Sequence, residues 1–160
     1  MLFRSRRREL LERWRAWSTA RVSSELPAVF IISSDRSADR YGLLQHAQQS
    51  CCLALFAAAE ALGLAFVKGV PPSVYVPKLD VEAVAALPGL TLAEPGESPH
   101  VLLREAPARR SVFRAAVQTR QGLATDVLQT WLDVSSHPTR GQEQADLIER
   151  RVLMPLMHDE

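Results

Sequence analysis

Pro27-Ala28-Val29-Phe30-Ile31-Ile32 is the stretch on which the fold turns. A continuous apolar run opened by a proline reads as a buried strand. Ser33, Ser34 and Asp35 follow as a polar turn with helix-capping side chains. From about Ser37 to Leu62 the spacing predicts the strongest helix of the chain. Leu44, Ala47, Cys51, Leu55, Ala58 and Leu62 recur at steps of three and four, alanine favours helix, and Gly63 is a stop signal. A buried strand beside a long alanine-rich helix sets the class as α+β, a central mixed sheet flanked by helices.

Toward the C-terminus, Leu64 to Val67 and Ser73 to Val76 read as short strands joined through Lys68-Gly69-Val70-Pro71-Pro72. Leu79 to Leu87 reads as a short helix with Asp80 as its cap, closed by Pro88-Gly89. Leu90 to Ala93 and His100 to Leu103 are strand-like around the turn Glu94-Pro95-Gly96-Glu97, and Val112 to Thr119 is one more strand ending near Gly122. A C-terminal helix pair completes the chain. Its first member runs from Thr125 or Asp126 to about Ser135, with Val127, Leu128, Trp131 and Leu132 as the apolar face, and Pro138 breaks it. Thr139 and Gln142 form a capping-box pattern for the second, whose stripe is Ala145, Ile148 and Val152 and which Pro155 ends. Strand order is not legible in the sequence.

Toward the N-terminus, residues 1–22 form a basic amphipathic helical arm, and residues 23–160 the α+β body. Leu10, Trp14 and Trp17 fall at i, i+4, i+7, a stripe expected to pack on the body or on a second copy. Residues 1–21 hold seven arginines (Arg4, Arg6, Arg7, Arg8, Arg13, Arg15, Arg21) against Glu9 and Glu12, a local +5. The whole chain is only +1, so the rest sums to −4 and the positive charge is concentrated at the front. That balance disfavours a wholesale nucleic-acid binder. Arg4, Arg6, Arg7, Arg8, Arg13 and Arg15 are left either as a solvated helix face or as a weak phosphate-contacting arm.

Cys51 and Cys52 are the only cysteines and are adjacent, which excludes a disulfide framework and suits a reducing compartment. The longest apolar stretch, Cys51 to Ala59, is too short for a span of about 20 residues, and no signal-peptide pattern is present. A cytoplasmic protein without membrane partners is expected.

Catalytic and cofactor motifs are missing. The histidines (His46, His100, His137, His158) are scattered, and no zinc spacing, nucleophile elbow, P-loop or dinucleotide fingerprint occurs. A nucleotidyltransferase would need paired carboxylates on a strand to converge on Mg²⁺. The strand Ser73-Val74-Tyr75-Val76 has none. A non-enzyme with no cofactor and no metal is therefore expected, with a degenerate nucleotidyltransferase-like domain, binding nucleotide or nucleic acid without transfer, as the alternative.

The closing segment carries a resemblance. Val127-Leu128-Gln129-Thr130-Trp131-Leu132-Asp133-Val134, then His137-Pro138-Thr139-Arg140-Gly141-Gln142-Glu143-Gln144-Ala145, resembles the closing motif of AbiEi-type regulators, the antitoxin and transcriptional-regulator side of bacterial type IV toxin–antitoxin systems. Leu10-Leu11-Glu12-Arg13-Trp14, Ala57-Ala58-Ala59, Val74-Tyr75-Val76-Pro77 and His100-Val101-Leu102-Leu103 are similar to earlier pieces of the family pattern in the same order, over about residues 9–154. Trp131 stands where the family usually has tyrosine. Members generally place a winged helix-turn-helix before this domain, and there is no room for one before Arg4. The resemblance thus implies a non-enzymatic effector or dimerisation domain without its winged helix, forming homodimers and touching DNA through the arm or through that missing module.

Within the motif, Gln129, Trp131, Asp133, Arg140, Gly141 and Glu143 are expected to be structural. Gln129 and Asp133 share a helix face at i, i+4. Asp133 lies near a helix C-terminus, where the macrodipole disfavours a carboxylate, and Arg140 across the Pro138 linker is expected to pair with it. A ligand or partner site is the other reading of these residues.

Overall fold

The computed structural model describes residues 2–19, 24–31, 51–85 and 89–158. Helix α1 (Leu2–Thr19) and strand β1 (Glu25–Phe30) come first, and β2 (Cys52–Ala54) runs directly into α2 (Leu55–Ala61). Then come β3 (Ser73–Val76), α3 (Val81–Ala85), β4 (Leu90–Leu92), β5 (Val101–Glu105) and α4 (Arg109–Ala115). The hairpin β6 (Val117–Thr119) and β7 (Gly122–Ala124) precedes the helix pair α5 (Val127–Ser135) and α6 (Gly141–Ile148). A π-helical turn (Glu149–Leu153) and α7 (Met154–His158) prolong α6.

The strands form one mixed sheet in the order β4-β1-β5-β3-β2-β7-β6, parallel at β3/β5 and β2/β7 and antiparallel elsewhere. With helices packed against it the fold is α+β, as the sequence pattern indicates. Side chains alternate between two apolar clusters. Cys51, Leu53, Val74 and Val76 join Ala28, Leu90, Val101 and Leu103 in one. Cys52, Ala54 and Tyr75 join Trp131, Val134, Ala145 and Ile148 in the other. Strands buried on both faces read as continuous apolar runs, which is why their phase is hidden in the sequence.

β1 starts at Glu25, three residues before the apolar run, because its ladder is set by neighbours on both edges. Glu25 pairs with Arg104 in β5, and Ala28 lies between Leu92 and Val101. Ile31 lies outside the strand and is exposed, while Ile32 falls outside the described residues.

The long helix expected over residues 37–62 is overturned at residues 51–54, while its C-terminal end, Leu55–Ala61, is helical. Residues 37–50 and the Ser33, Ser34 and Asp35 caps lie outside the described residues, but Cys52–Ala54 is a strand, paired with both β3 and β7. Apolar residues at mixed spacing suit a buried strand as well as a helix, and pairing on two edges decides between them. The change of state occurs at Leu55, whose φ of +49° is the only positive value among the described non-glycine residues. Gly63 does end α2. At φ +74° it completes a Schellman turn, with Gly63 N–H donating to the Glu60 carbonyl at 3.0 Å and Leu64 N–H to the Ala59 carbonyl at 2.8 Å.

Leu64 to Val67 is not a strand. Its backbone is bound by a side chain instead, since the fully buried Gln144 accepts from Phe66 N–H at 2.8 Å and Val67 N–H at 3.2 Å and donates to the Leu64 carbonyl. Val112 to Thr119 is likewise helix and then strand, with Val112 buried beneath α4 and extended Ala116 marking the switch. Leu79 to Leu87 contracts to α3 within the described residues. Asp80 caps it as expected, with Oδ1 accepting from Glu82 N–H at 2.9 Å.

The last helix departs from expectation at both ends. Thr139 does not cap it: the capping position is Arg140, which makes no side-chain cap, and Gln142 bonds Arg15 and Asp146. Pro155 does not end it either. The widened π turn before Pro155, with Met154 N–H reaching back to the Glu149 carbonyl, makes room where a proline ring would otherwise meet the preceding turn.

Helix α1 docks beside its tryptophan stripe rather than through it. Leu11, Arg15 and Ser18 are half-buried, whereas Leu10, Trp14 and Trp17 are 46%, 40% and 59% exposed. Leu11 packs on the α5–α6 cluster, and the Arg15 guanidinium sits 6.0 Å from the Trp131 ring centroid.

Candidate functional site

The strand register lines up a polar row across an apolar sheet. Glu25 stands opposite Arg104, Arg104 beside Tyr75, and Tyr75 opposite Cys52, one residue from each of β1, β5, β3 and β2. Arg104 and Glu25 form an ion pair, Nε–Oε2 2.9 Å and Nη2–Oε2 2.7 Å. Above this row α5 presents Gln129 and Asp133, one turn apart on one face. Between sheet and helix lies a cavity of about 380 Å³, walled by Leu55, Pro107, Leu132 and Pro138 and closed at one side by Trp17 and Ser18 of α1.

Asp133 is one of the residues lining this cavity. It is 5% exposed, and Oδ1 accepts from Gln129 Nε2 at 2.7 Å. Its other oxygen, Oδ2, has no partner at hydrogen-bond geometry. Burial pushes the carboxyl up to about 7, outweighing the Gln129 amide, the Tyr75 hydroxyl and Arg104, which favour the charged form. Burial and Asp133 likewise push the Tyr75 hydroxyl up, so it remains a donor. His137, on the α5–α6 linker, packs edge-on against Phe56 with ring centroids 4.9 Å apart, and its buried Nδ1 is also without a partner. Partial burial, helped by the Arg104 charge, lowers its pKa.

The expected Asp133–Arg140 pair does not form. Arg140 is exposed and points to the coil after α2, with Nη1 donating to the Lys68 carbonyl at 3.3 Å. A carboxyl in the last turn of a helix needs no cation if burial holds it partly protonated, and that is the outcome here. Gln129 and Asp133 do share a face as expected. Trp131 is 2% exposed and packs under α6. Gly141 is required by close approach: a Cβ there would overlap the Val134 carbonyl and lie 2.9 Å from His137 Cβ. Glu143 is exposed in the first turn of α6, where a carboxylate suits the helix dipole.

Of the arginine cluster, Arg6, Arg7, Arg8 and Arg13 are exposed, and Arg8 lies 3.4 Å from Glu12. Arg15 is engaged by Trp131 and Gln142 and is removed from the free set. Arg4 lies in α1, with its side chain outside the described residues.

Sequence reasoning missed Tyr75, Arg104, His137, Leu55 and the cavity-facing role of Trp17. A signal existed for two of them. Tyr75 and Arg104 are polar-tipped residues in strands otherwise apolar, and strands buried on both faces have few reasons to carry them.

Among the described residues no three His, Cys, Asp or Glu side chains gather into a metal-binding group, and no helix is long and apolar enough to cross a membrane. Both thiols are buried, which pushes Cys51 and Cys52 up to about 12, the latter helped by Cys51 and Asp133. No family model, no curated protein and no solved structure matches this chain.

Proposed function

We propose that this chain is the non-enzymatic effector domain of an AbiEi-like regulator, cytoplasmic, with DNA contact and self-association as its outputs. One observation carries the reading. The closing motif folds as a single device in which Trp131 and Gly141 lock α5 to α6 while Gln129 and Asp133 face a cavity beneath α1. The basic arm thus lies against the same helix that lines the cavity, an arrangement suited to passing a signal between them. The strand–helix elbow supports binding over catalysis: the positive-φ position, where an elbow would display a nucleophile, holds Leu55.

The second reading, a degenerate nucleotidyltransferase-like domain, is favoured by Tyr75 of β3 lining the cavity. A triphosphate suits it poorly, because the cation lining the cavity, Arg104, is already held by Glu25.

Incubation of the full chain with labelled nucleoside triphosphates and Mg²⁺ or Mn²⁺ should give no turnover, and turnover lost on Asp80→Ala would overturn the reading. Anisotropy with labelled duplex DNA should give weak binding that falls steeply between roughly 50 and 200 mM salt. Arg6→Ala, Arg7→Ala and Arg13→Ala together should abolish it.

A further inference from the structure

We infer that the outward face of α1 is a membrane-surface contact, on which the helix lies flat against an anionic phospholipid bilayer. The inference goes beyond the regulator reading above and does not depend on it.

Placement around the helix axis comes first. At about 100° per residue, Leu10, Trp14 and Trp17 fall within a sector of about 60°. All three are exposed. Leu11 packs on the α5–α6 cluster and Ser18 lines the cavity, so these two mark the docked face. They lie about 70–90° from the middle of the apolar sector. The stripe therefore faces outward while α1 stays docked, and no part of the fold has to open to present it.

Charge comes second. Arg6 and Arg13 border the stripe on one side and Arg7 on the other, each within about 40° of its edge. All three are exposed and make no ion pair among the described residues. The acids point elsewhere. Glu9 and Glu12 lie about 110° and 170° from the middle of the stripe, and Glu12 is 3.4 Å from Arg8. In cross-section α1 is an apolar ridge with a cationic bank on each side.

That cross-section selects the partner. An anionic bilayer meets both banks with headgroups and takes the ridge to the acyl boundary, roughly 5–10 Å deep. Tryptophan is the side chain that favours this level. Duplex DNA supplies phosphates for the arginines but no apolar phase for a ridge between them. Single-stranded bases could stack on the indoles but would leave Leu10 in water. A second α1 would bring like-charged banks together. No helix among the described residues can cross a membrane, and a helix lying in the headgroup plane crosses nothing.

The test is co-sedimentation of the full chain with phosphatidylcholine vesicles containing about one-quarter phosphatidylglycerol, with tryptophan emission read in parallel. Binding should be at least about tenfold tighter than to pure phosphatidylcholine. The emission should shift to the blue, and brominated lipid should quench it except for the buried Trp131. Leu10→Ala with Trp14→Ala should weaken binding at least about tenfold. Arg6→Ala, Arg7→Ala and Arg13→Ala together should weaken it about a hundredfold. Both variants should melt like the parent, since every one of these positions is exposed. The inference is overturned by no binding to the anionic vesicles, or by binding that Leu10→Ala with Trp14→Ala leaves intact, which would be arginine attraction alone. An emission shift that follows protein concentration without lipid would assign the stripe to a second copy and overturn it too. So would tighter, Trp14-dependent binding to a single-stranded oligonucleotide. The duplex-DNA measurement above is separate, and its outcome is not changed by any of these.

Discussion

Helices α1 and α5 both carry a tryptophan stripe, and only one of them buries it. Trp131 is 2% exposed, against 40% and 59% for Trp14 and Trp17. What separates them is fixation, not amphipathicity. α5 is capped by Asp126, whose Oδ1 accepts from Leu128 and Gln129 N–H. It is anchored by the buried Thr125–Thr130 hydroxyl pair at 2.9 Å and locked by the Gly141 contact. α1 lies on the α5–α6 pair through Leu11 and Arg15, a face next to the stripe. Periodicity identifies an apolar face, but the partner surface decides which face is covered.

Truncating the two kinds of tryptophan breaks the comparison most directly. Trp131→Ala leaves a hole between sheet and helix pair and should cost about 3–5 kcal/mol. Trp14→Ala should stay within about 0.5 kcal/mol. Urea denaturation measures both, and similar losses would mean that α1 is buried in solution against another copy.

The second effect is pH-dependent and belongs to α5 alone. The Asp133 carboxyl titrates near 7 in the folded chain and near about 3.9 unfolded, so the folded state holds a proton that the unfolded state releases between those values. Stability should therefore fall as pH rises from about 4 to 7, by up to about 4 kcal/mol, and level off above. Gln129, Tyr75, Arg104 and Asp126 are the groups acting on it and remain in Asp133→Asn. That variant should lose the slope and exceed the parent at pH 8. A slope unchanged in Asp133→Asn assigns the titration elsewhere.

Smaller still is the docking of α1. Arg15→Ala removes the contact with Trp131 and the bond to Gln142 and should cost about 1 kcal/mol. Trypsin cleavage after Arg13 should become several-fold faster. Unchanged cleavage would show that Arg15 does not hold the helix.

The smallest expected change is at Arg140. Its exposed bond to the Lys68 carbonyl predicts less than about 0.5 kcal/mol for Arg140→Ala. A loss of several kcal/mol would revive the pairing with Asp133.

The α+β class, the cap at Asp80, the stop at Gly63 and the C-terminal helix pair were legible because each rests on local chemistry. What was hidden depends on neighbours distant in sequence. Cys52–Ala54 is a strand only because Tyr75 and Ala124 flank it, and Leu64–Val67 is coil only because Gln144 reaches it from 77 to 80 residues away. The site divided the same way. Gln129 and Asp133 could be read as one helix face, while the row Glu25, Arg104 and Tyr75 exists only once the register is known.

The adjacent cysteines have a practical consequence. With Cys51 and Cys52 each on a different face of the sheet and each thiol pushed up to about 12, almost none of either is thiolate at pH 7–8. A maleimide or disulfide reagent therefore meets an inert protein while the sheet is closed and a doubly reactive one when β2 detaches. The chain carries its own chemical clock for opening of the central strand, readable by mass as the stepwise addition of labels, without any engineered reporter.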